Sequence, residues 1–591
     1  MPHITPRSYD SQTFQTLSDC GLSPVLARIY AARGIAHANQ LETELAHLIP
    51  FEQLKNCTLM ASLLADAIAA KKRLLIVADY DSDGATACAV GLRILRKLGA
   101  HVDYLVPNRF EFGYGLTPEI VQLAHASKHP DILITVDNGI ASVDGVEEAN
   151  RLGMEVLITD HHLPGDTLPA ATAIINPNQP GCSFPSKSIA GVGVIFYLML
   201  ALRAELRQRG AFATVAEPNL ASFLDLVALG TVADVVKLDS NNRILVQQGL
   251  QRIRKGRCCA GIHALLQIAR RDYQQISTYE LGFILGPRLN AAGRLDDMSL
   301  GIECLLTDDD AFAAECARQL DELNRQRREI ESTMQETALD KLDALLNSQP
   351  SEFQQAYSIC LFDPDWHQGV IGILASRIKD KYHRPVIIFA DGNPDELKGS
   401  GRSINGFHLR DALDLVAKRH PQLILKFGGH AAAAGLTIRA AHYEQFCQVF
   451  EQVAQSLLTP AHLTQVIETD GDLELSEITM ELAEYLERQV WGQGFPQPTF
   501  SAQFHVESQR IVGEKHLKLK LRKRATACEN LQARHAEPFY DAILFFQSDP
   551  LPDLIDAVYR LQVNEFNGKT TLQLLLEHWS DVEHPTTDHA S

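Results

Sequence analysis

Aspartate stands at the end of one short apolar run after another, and that placement constrains the fold more than any other feature of the chain. The runs cover residues 73–79, 101–106, 131–137, 154–159 and 171–175, with amphipathic stretches between them. Short runs rich in β-branched residues, alternating with helical patterns, predict βαβ units and a parallel sheet. In such a sheet the carboxyl ends of the strands share one edge and form the ligand crevice. Asp79 ends the first run, Asp137 ends the third, and Asp160-His161-His162 follows the fourth, so these side chains are expected to converge. Asp81 and Asp83 follow Asp79 in steps of two, and on an extended segment such side chains point the same way. Asp234, behind the apolar run 223–229 and Gly230-Thr231, is a further candidate. Asp225 lies in the same segment and stays open as an alternative to it; otherwise it reads as a core helix residue.

Any one strand-terminal aspartate can be explained as a helix N-cap. The set cannot be explained that way. Several aspartates and imidazoles without cysteine suit a hard or borderline divalent ion such as Mn²⁺ or Mg²⁺. Four or more carboxylates exceed the needs of one ion and repel each other, which favours two metals about 3.5–4 Å apart.

The net charge of −19, from 54 Lys+Arg and 73 Asp+Glu, argues against wholesale electrostatic binding of nucleic acid. It leaves room for a local basic path. Between residues 507 and 524 seven basic residues face two acidic ones. There Leu517, Leu519 and Leu521 alternate with Lys518, Lys520 and Arg522, which predicts a strand with one face in a core and the other wholly basic. A solvated edge strand protected by lysines has the same pattern. Arg109, Arg288, Arg294 and Arg402 are candidate phosphate forks. Tyr114, between two glycines, is a candidate base-stacking ring, though a core tyrosine reads the same. Gly428-Gly429-His430 could offer backbone N–H groups to an anion or simply turn the chain.

Thr307 followed by Asp308, Asp309 and Asp310 signals a helix start. Apolar residues then recur at steps of three, four or seven to about residue 346, a helix roughly 60 Å long and a strut between domains. A second α/β pattern runs from about residue 357 to 460, with strands expected at 358–362 and 386–389. Short alternating strands at 499–506, 516–522, 542–546 and 570–575 predict a small β-barrel. The expected segments are 1–45, 46–304, 305–346, 347–460, 465–577 and a loose polar tail, 578–591. The longest apolar run, residues 189–202, is too short for a membrane span. No apolar segment follows the N-terminus, and the eleven cysteines are scattered without a C-x-x-C pair, so a cytoplasmic protein with free thiols is expected.

Asp79-Tyr80-Asp81-Ser82-Asp83-Gly84, Val136-Asp137-Asn138-Gly139, Asp160-His161-His162 and Gly230-Thr231-Val232-Ala233-Asp234 resemble the four motifs of the DHH phosphoesterase family. Gly399-Ser400-Gly401-Arg402-Ser403 and the glycine- and alanine-rich stretch 427–435 resemble the substrate motifs of the DHH-associated domain. The stretches 287–294 and 366–372, with the C-terminal barrel, are similar to the family's single-strand-specific exonucleases. The resemblance implies an α/β fold: a parallel-sheet DHH domain joined by the long helix to a DHH-associated domain, plus an OB-fold. It further implies that Asp81 holds one metal, that Asp83, His161 and Asp234 hold the other, and that Asp137 bridges them. His162 would face the scissile phosphate, Asp79 would support the cluster, and Ser400, Arg402, Gly428, Gly429 and His430 would bind substrate. The activity implied is hydrolysis of single-stranded DNA from its 5′ end into 5′-mononucleotides, in repair and recombination. Single-strand-binding protein and a RecQ-type helicase are the implied partners. A family phosphodiesterase for short oligonucleotides or cyclic dinucleotides, and a non-catalytic single-strand-binding scaffold, remain as alternatives.

Overall fold

A computed structural model describes residues 2–108, 115–513, 515–524, 538–566 and 568–582. The chain divides into two compact units, one built from residues 4–289, 298–317 and 468 onward, the other from 1–3, 290–297 and 318–467. The 39-residue helix Asp310–Ser348 starts in the first and continues in the second.

The larger unit holds a five-stranded parallel sheet. Its strands run in the spatial order His101–Leu105, Arg73–Ala78, Ile132–Val136, Glu155–Thr159, Ala173–Ile175. Every residue of Ile132–Val136 is buried, as a strand covered on both faces requires. On one face Leu75, Val77, Leu133, Val156 and Ile158 share a core with Ile120, Val121, Val146 and Ala149 of the helices Pro118–Lys128 and Val143–Arg151. On the other face Gly91, in the helix Ser82–Lys97, lets Ile76 and Ile195 close in; a Cβ there would sit 3.0 Å from the Ile76 side chain. The chain moves outward in both directions from Arg73–Ala78, so the strand order reverses between it and Ile132–Val136. That is the switch point where ligands bind in open α/β sheets.

The same unit contains a closed barrel of Phe500–Val512, His516–Lys523, Phe539–Leu544, Lys569–Asp581 and Leu554–Phe566. Phe539–Leu544 pairs in parallel with Lys569–Asp581 to close it. The strand Leu554–Phe566 was not anticipated from the sequence; on its pairing with Lys569–Asp581 the register passes from His578 to Leu576, so the extra residue, Glu577, lies in the partner strand. Leu517, Leu519 and Leu521 enter the barrel core. The opposite face departs from the expectation of a wholly basic surface. Arg522 is only 8% exposed, because its Nε donates to Glu507 at 2.8 Å and its guanidinium lies over the Phe539 ring at 4.4 Å.

Ahead of the barrel, the N-terminal segment is tied to residues 470–495. Arg33 forks onto Asp470 with contacts of 2.6 and 2.9 Å, and both side chains are almost wholly buried. Tyr30 stacks on Trp491 and Phe495, and Arg243 covers Phe495 at 4.2 Å.

The smaller unit has a five-stranded mixed sheet ordered Lys426–Gly429, Ala433–Arg439, Glu396–Arg402, Val386–Asp391, Ile359–Phe362. Met334, Ala338 and Leu342 of the long helix share a core with Ile359, Leu361 and Trp366. Among the described residues no helix is long and apolar enough to cross a membrane, and every cysteine is a free thiol.

Removing one partner of a buried ion pair strands the other charge and costs about 3–5 kcal/mol. Asp470→Ala is therefore expected to destabilise the protein by about that amount, read as a lowered midpoint in urea. An unchanged midpoint would show that Arg33 finds another partner.

Candidate active site

The acidic residues gather at the switch point. Asp79 follows Arg73–Ala78 and Asp137 follows Ile132–Val136, the two strands that flank it. Their backbones extend the ladder: the Asp79 N–H donates to Val136 O at 3.3 Å and the Asp137 N–H to Thr159 O at 3.0 Å. Asn138 Nδ2 donates to Val77 O and Val136 O, binding both strands at this edge. Asp137 itself is left-handed at φ 64°, a conformation that aspartate tolerates better than most residues.

Asp81 and Asp83 converge by a route other than the extended segment expected. Asp81 is the N-cap of the helix Ser82–Lys97, accepting from the Asp83 and Gly84 N–H groups at 2.9 and 3.0 Å. Asp83 lies in that helix's first turn. Its carboxylate accepts from the N–H groups of Gly191 and Val192 at 2.6 and 2.9 Å, at the positive end of the helix Gly191–Gln208. Capping and ligation are therefore not alternatives for Asp81.

His161 Nε2 lies 3.1 Å from Asp137 Oδ1, 3.4 Å from Asp234 Oδ2 and 3.9 Å from Asp83 Oδ2. Among the described residues three groups have ligand atoms close enough to share an ion: Asp83 with His161 and Asp234, Asp79 with Asp81 and Asp137, and Asp137 with His161 and His162. Asp234 joins the cluster from the C-cap of the helix Leu224–Ala233. Asp225 does not join it: it sits in that helix's first turn and accepts from the Cys259 N–H at 2.7 Å.

Burial, then the Asp81 charge, push Asp79 up to about 8 and Asp83 up to about 7. Burial, then the charges of Asp83 and Asp81, hold Asp137 and Asp234 well above the usual carboxylate range. Asp137 Oδ1 and Asp234 Oδ2 are buried acceptors with no hydrogen-bond donor. Hard oxygens plus imidazole, with no thiol, and acceptors that meet no donor fit one or two divalent cations of the Mn²⁺ or Mg²⁺ kind.

His162 faces a different partner. Its Nδ1 bonds Asp160 Oδ1 at 2.7 Å, and Asp160 is itself fixed by the N–H groups of Ile140, His161 and His162. Burial works against the imidazolium, but the Asp160 hydrogen bond and charge outweigh it and raise His162 to about 9. Asn176 and Asn178 donate to the carbonyls of His162 and His161 and hold this turn in place.

Three glycines allow the crowding. A Cβ on Gly84 would lie 2.4 Å from Asp79 O, one on Gly230 would lie 2.1 Å from Thr86 Oγ1, and one on Gly191 would lie 2.5 Å from Asp137 Oδ1. Gly191 was not among the expected site residues, and Asp160, expected to converge at this edge, was given no role of its own there. The only sequence signal for Gly191 is its place at the head of a long apolar run, a common position for a packing glycine.

The expected substrate residues fall on several elements. In the smaller unit Arg402 Nη1 donates to Gly401 O at 2.8 Å and to Ser400 Oγ at 3.3 Å. A Cβ on Gly372 would lie 2.9 Å from both Arg402 Nη2 and Ser400 Oγ, so these groups meet the first turn of the helix Ile371–Tyr382, an arrangement suited to an anion. Gly428 and Gly429 belong to a strand, paired with Gly435 and Ala434, and the His430 N–H donates to Ala433 O. Arg294 Nη1 donates to Gly369 O. In the larger unit Arg288 Nη1 donates to Ile284 O, Lys518 is half-buried and Lys520 is exposed. Arg109 and Tyr114 lie outside the described residues.

Residues 73–231 match the model of the DHH family, N-terminal domain, residues 354–456 that of the DHHA1 domain, and residues 469–578 that of the RecJ OB domain. The chain is 50% identical over 575 residues to the single-stranded-DNA-specific exonuclease RecJ of Dickeya dadantii, covering 96% of this chain and 97% of that protein. It is 48% identical to the Escherichia coli exonuclease of the same name, covering 94% and 96%. The crystal structure of RecJ in complex with Mn²⁺ from Thermus thermophilus matches at a TM-score of 0.79 and 29% identity, covering 98% of this chain and 80% of that one. The Mg²⁺ complex from the same source matches at 0.73 and 27%, covering 98% and 78%.

The raised carboxylates fix the sign of a pH effect. Without metal, the folded state keeps protons on Asp79 and Asp83 up to about 8 and about 7, whereas the unfolded chain releases them near 3.8. Between those values the folded state binds more protons, so stability falls as pH rises. Metal-free protein is expected to unfold at progressively lower urea between about pH 5 and pH 8, and Mn²⁺ to reverse the loss while releasing protons. A flat or rising profile would contradict the cluster's burial.

Gly191→Ala would drive a methyl into the Asp137 carboxylate. Manganese affinity is expected to fall about 10-fold or more, as when a ligand loses its support, with the far-ultraviolet circular dichroism unchanged.

Proposed function

The chain belongs to the RecJ family, and from that premise we propose that its acidic cluster is the hydrolytic centre of a single-stranded-DNA-specific exonuclease. The observation that carries this reading is the meeting of Asp83, His161 and Asp234 around one point beside Asp137, with buried carboxylate oxygens that no donor satisfies. Asp83, His161 and Asp234 would hold one Mn²⁺ or Mg²⁺ and Asp81 a second, with Asp137 between them and Asp79 adjoining. The ions supply Lewis acidity, neutralising the carboxylates and making a water acidic enough to attack phosphorus near neutral pH.

The protein's own groups do the rest. The N–H groups at the starts of two helices orient the Asp81 and Asp83 carboxylates and oppose the rise that burial gives Asp83. Asp160 keeps His162 oriented through Nδ1 and favours its imidazolium, which would face a phosphate oxygen. Attack opens the bond from phosphorus to the 3′ oxygen of the terminal nucleotide, which leaves as the alcohol. Degradation from the 5′ end would release 5′-mononucleotides, consistent with roles in DNA repair and recombination. Arg402 and Ser400, beside a helix N-terminus, would grip a backbone phosphate. We propose further that the enzyme works in the cytoplasm, with single-strand-binding protein and a RecQ-type helicase as partners.

Asp137→Ala is expected to lower hydrolysis of end-labelled single-stranded DNA by more than the roughly 10- to 100-fold that losing an outer-shell partner costs, while the metal-free variant is no less stable than wild type. Activity in Mn²⁺ close to wild type would exclude Asp137 from the centre.

Lys518 and Lys520 are the members of the basic strand left open for DNA. Replacing both by alanine is expected to weaken binding of long single strands and to reduce the salt slope by about 0.7 for each phosphate no longer neutralised. Turnover at saturating DNA should change little. A loss of turnover without a loss of affinity would place these lysines elsewhere in the mechanism.

A further inference from the structure

The helices that carry Asp83 and Asp234 also frame a second site at their other ends. Asp225 and Asp234 stand nine residues apart on one helix, about 14 Å along its axis. Arg93 and Lys97 occupy the far end of the helix that begins beside Asp81. Between these ends lies a cavity of about 470 Å³, lined among others by Lys97, Phe223, Asp225, Arg252, Arg257 and Cys259. That volume is within the range of small-molecule sites.

Its lining is selective. The N-termini of two helices, Leu224–Ala233 and Ala260–Ile268, border it and favour an anion there. Lys97 and Arg257 are exposed cations at its rim. Arg93 is committed to Asp308 and to the carbonyls of Leu305 and Leu306. Asp310 also lies at the rim and limits how much negative charge the cavity attracts.

An independent observation points to a ligand. Asp225 is 1% exposed, its Oδ2 accepts from the Cys259 N–H, and its Oδ1 meets no donor. Arg252 donates through Nη2 to Arg257 O, but its Nε is buried without an acceptor. A buried acceptor and a buried donor left unmade each cost about 1–3 kcal/mol. A ligand that brings one donor and one anionic group would satisfy both.

We propose that this cavity binds a 5′-mononucleotide, with the phosphate on Lys97, Arg252 and Arg257 and an amino or hydroxyl group of the nucleoside donating to Asp225 Oδ1. The choice of ligand rests on the proposed activity, which produces 5′-mononucleotides beside this domain; the cavity's chemistry does not depend on it. The phosphate supplies the anion, the nucleoside the donor, and Phe223 and Leu226 an apolar wall.

The test is photolabelling of the manganese-loaded full chain with 8-azido-2′-deoxyadenosine 5′-monophosphate, followed by peptide mapping. Label is expected within residues 222–226 or 252–263. It should be displaced by 2′-deoxyadenosine 5′-monophosphate better than by deoxyadenosine or inorganic phosphate, and reduced about tenfold or more in Lys97→Gln/Arg257→Gln. Both substituted residues are exposed, so the fold should survive, and hydrolysis of single-stranded DNA without added nucleotide should match wild type. Label confined to peptides holding Asp137 or His161, or unaffected by the double substitution, overturns the proposal. Displacement by inorganic phosphate as good as by the nucleotide overturns the nucleoside half and leaves a phosphate site. Hydrolysis measured on the same preparation reports on the exonuclease reading separately: label at the cavity from a protein that degrades no DNA would keep the cavity and remove the reading.

Discussion

Gathering several carboxylates where water is scarce is the constraint on which the rest of this structure depends. Each buried carboxylate loses hydration, and each neighbour of like charge adds repulsion, which is why Asp79, Asp83, Asp137 and Asp234 all hold their protons far above the usual range. The fold offsets part of this with backbone dipoles. Asp81 caps one helix, Asp83 receives two N–H groups from the start of another, and Asp160 receives three more. These supports demand close approach of backbone to carboxylate, and Gly84, Gly191 and Gly230 stand where a methyl group would prevent it. The apolar core around them keeps these dipoles fixed.

The parallel sheet was legible because its strands are fully buried. Runs such as Ile132–Val136 carry no polar interruption, and their boundaries in the structure fall within a residue or two of the apolar runs. Convergence of Asp79, Asp137 and the Asp160 turn then follows from strand direction alone, without knowledge of side-chain packing. The order of strands was not legible, since nothing in the runs says which pair. Only the structure reveals that Asp79 and Asp137 flank the reversal point. The long helix was equally plain, because its apolar positions repeat over 39 residues.

What stayed hidden depends on partners distant in sequence. The alternation of leucine with basic residues correctly placed Leu517, Leu519 and Leu521 in the barrel core, yet alternation cannot tell an open cation from a covered one. Arg522 is covered by Glu507 from the paired strand and by Phe539 from the other side. The donors to Asp83 come from a helix more than a hundred residues away. Asn176 and Asn178, which hold the histidine turn, read in the sequence as loop residues. In the smaller unit the glycine-rich stretch, which reads either as an anion cradle or as a plain turn, forms a strand in which Gly428 and Gly429 pair with Gly435 and Ala434.

Helix polarity separates the two aspartates that the sequence could not rank. Asp225 sits in the first turn of the helix Leu224–Ala233, where the positive end of the dipole and the Cys259 N–H favour a carboxylate. Asp234 caps the other end, where the same dipole opposes one. It is also buried, and Asp83 and Asp81 add their charges to the opposition. An anion at a helix C-terminus, desolvated and among other anions, lowers the stability of the folded state. Local backbone electrostatics favour a carboxylate at Asp225 and leave only its Oδ1 to be satisfied from the neighbouring cavity. At Asp234 they oppose one, so a cation sharing the site would be what offsets the cost.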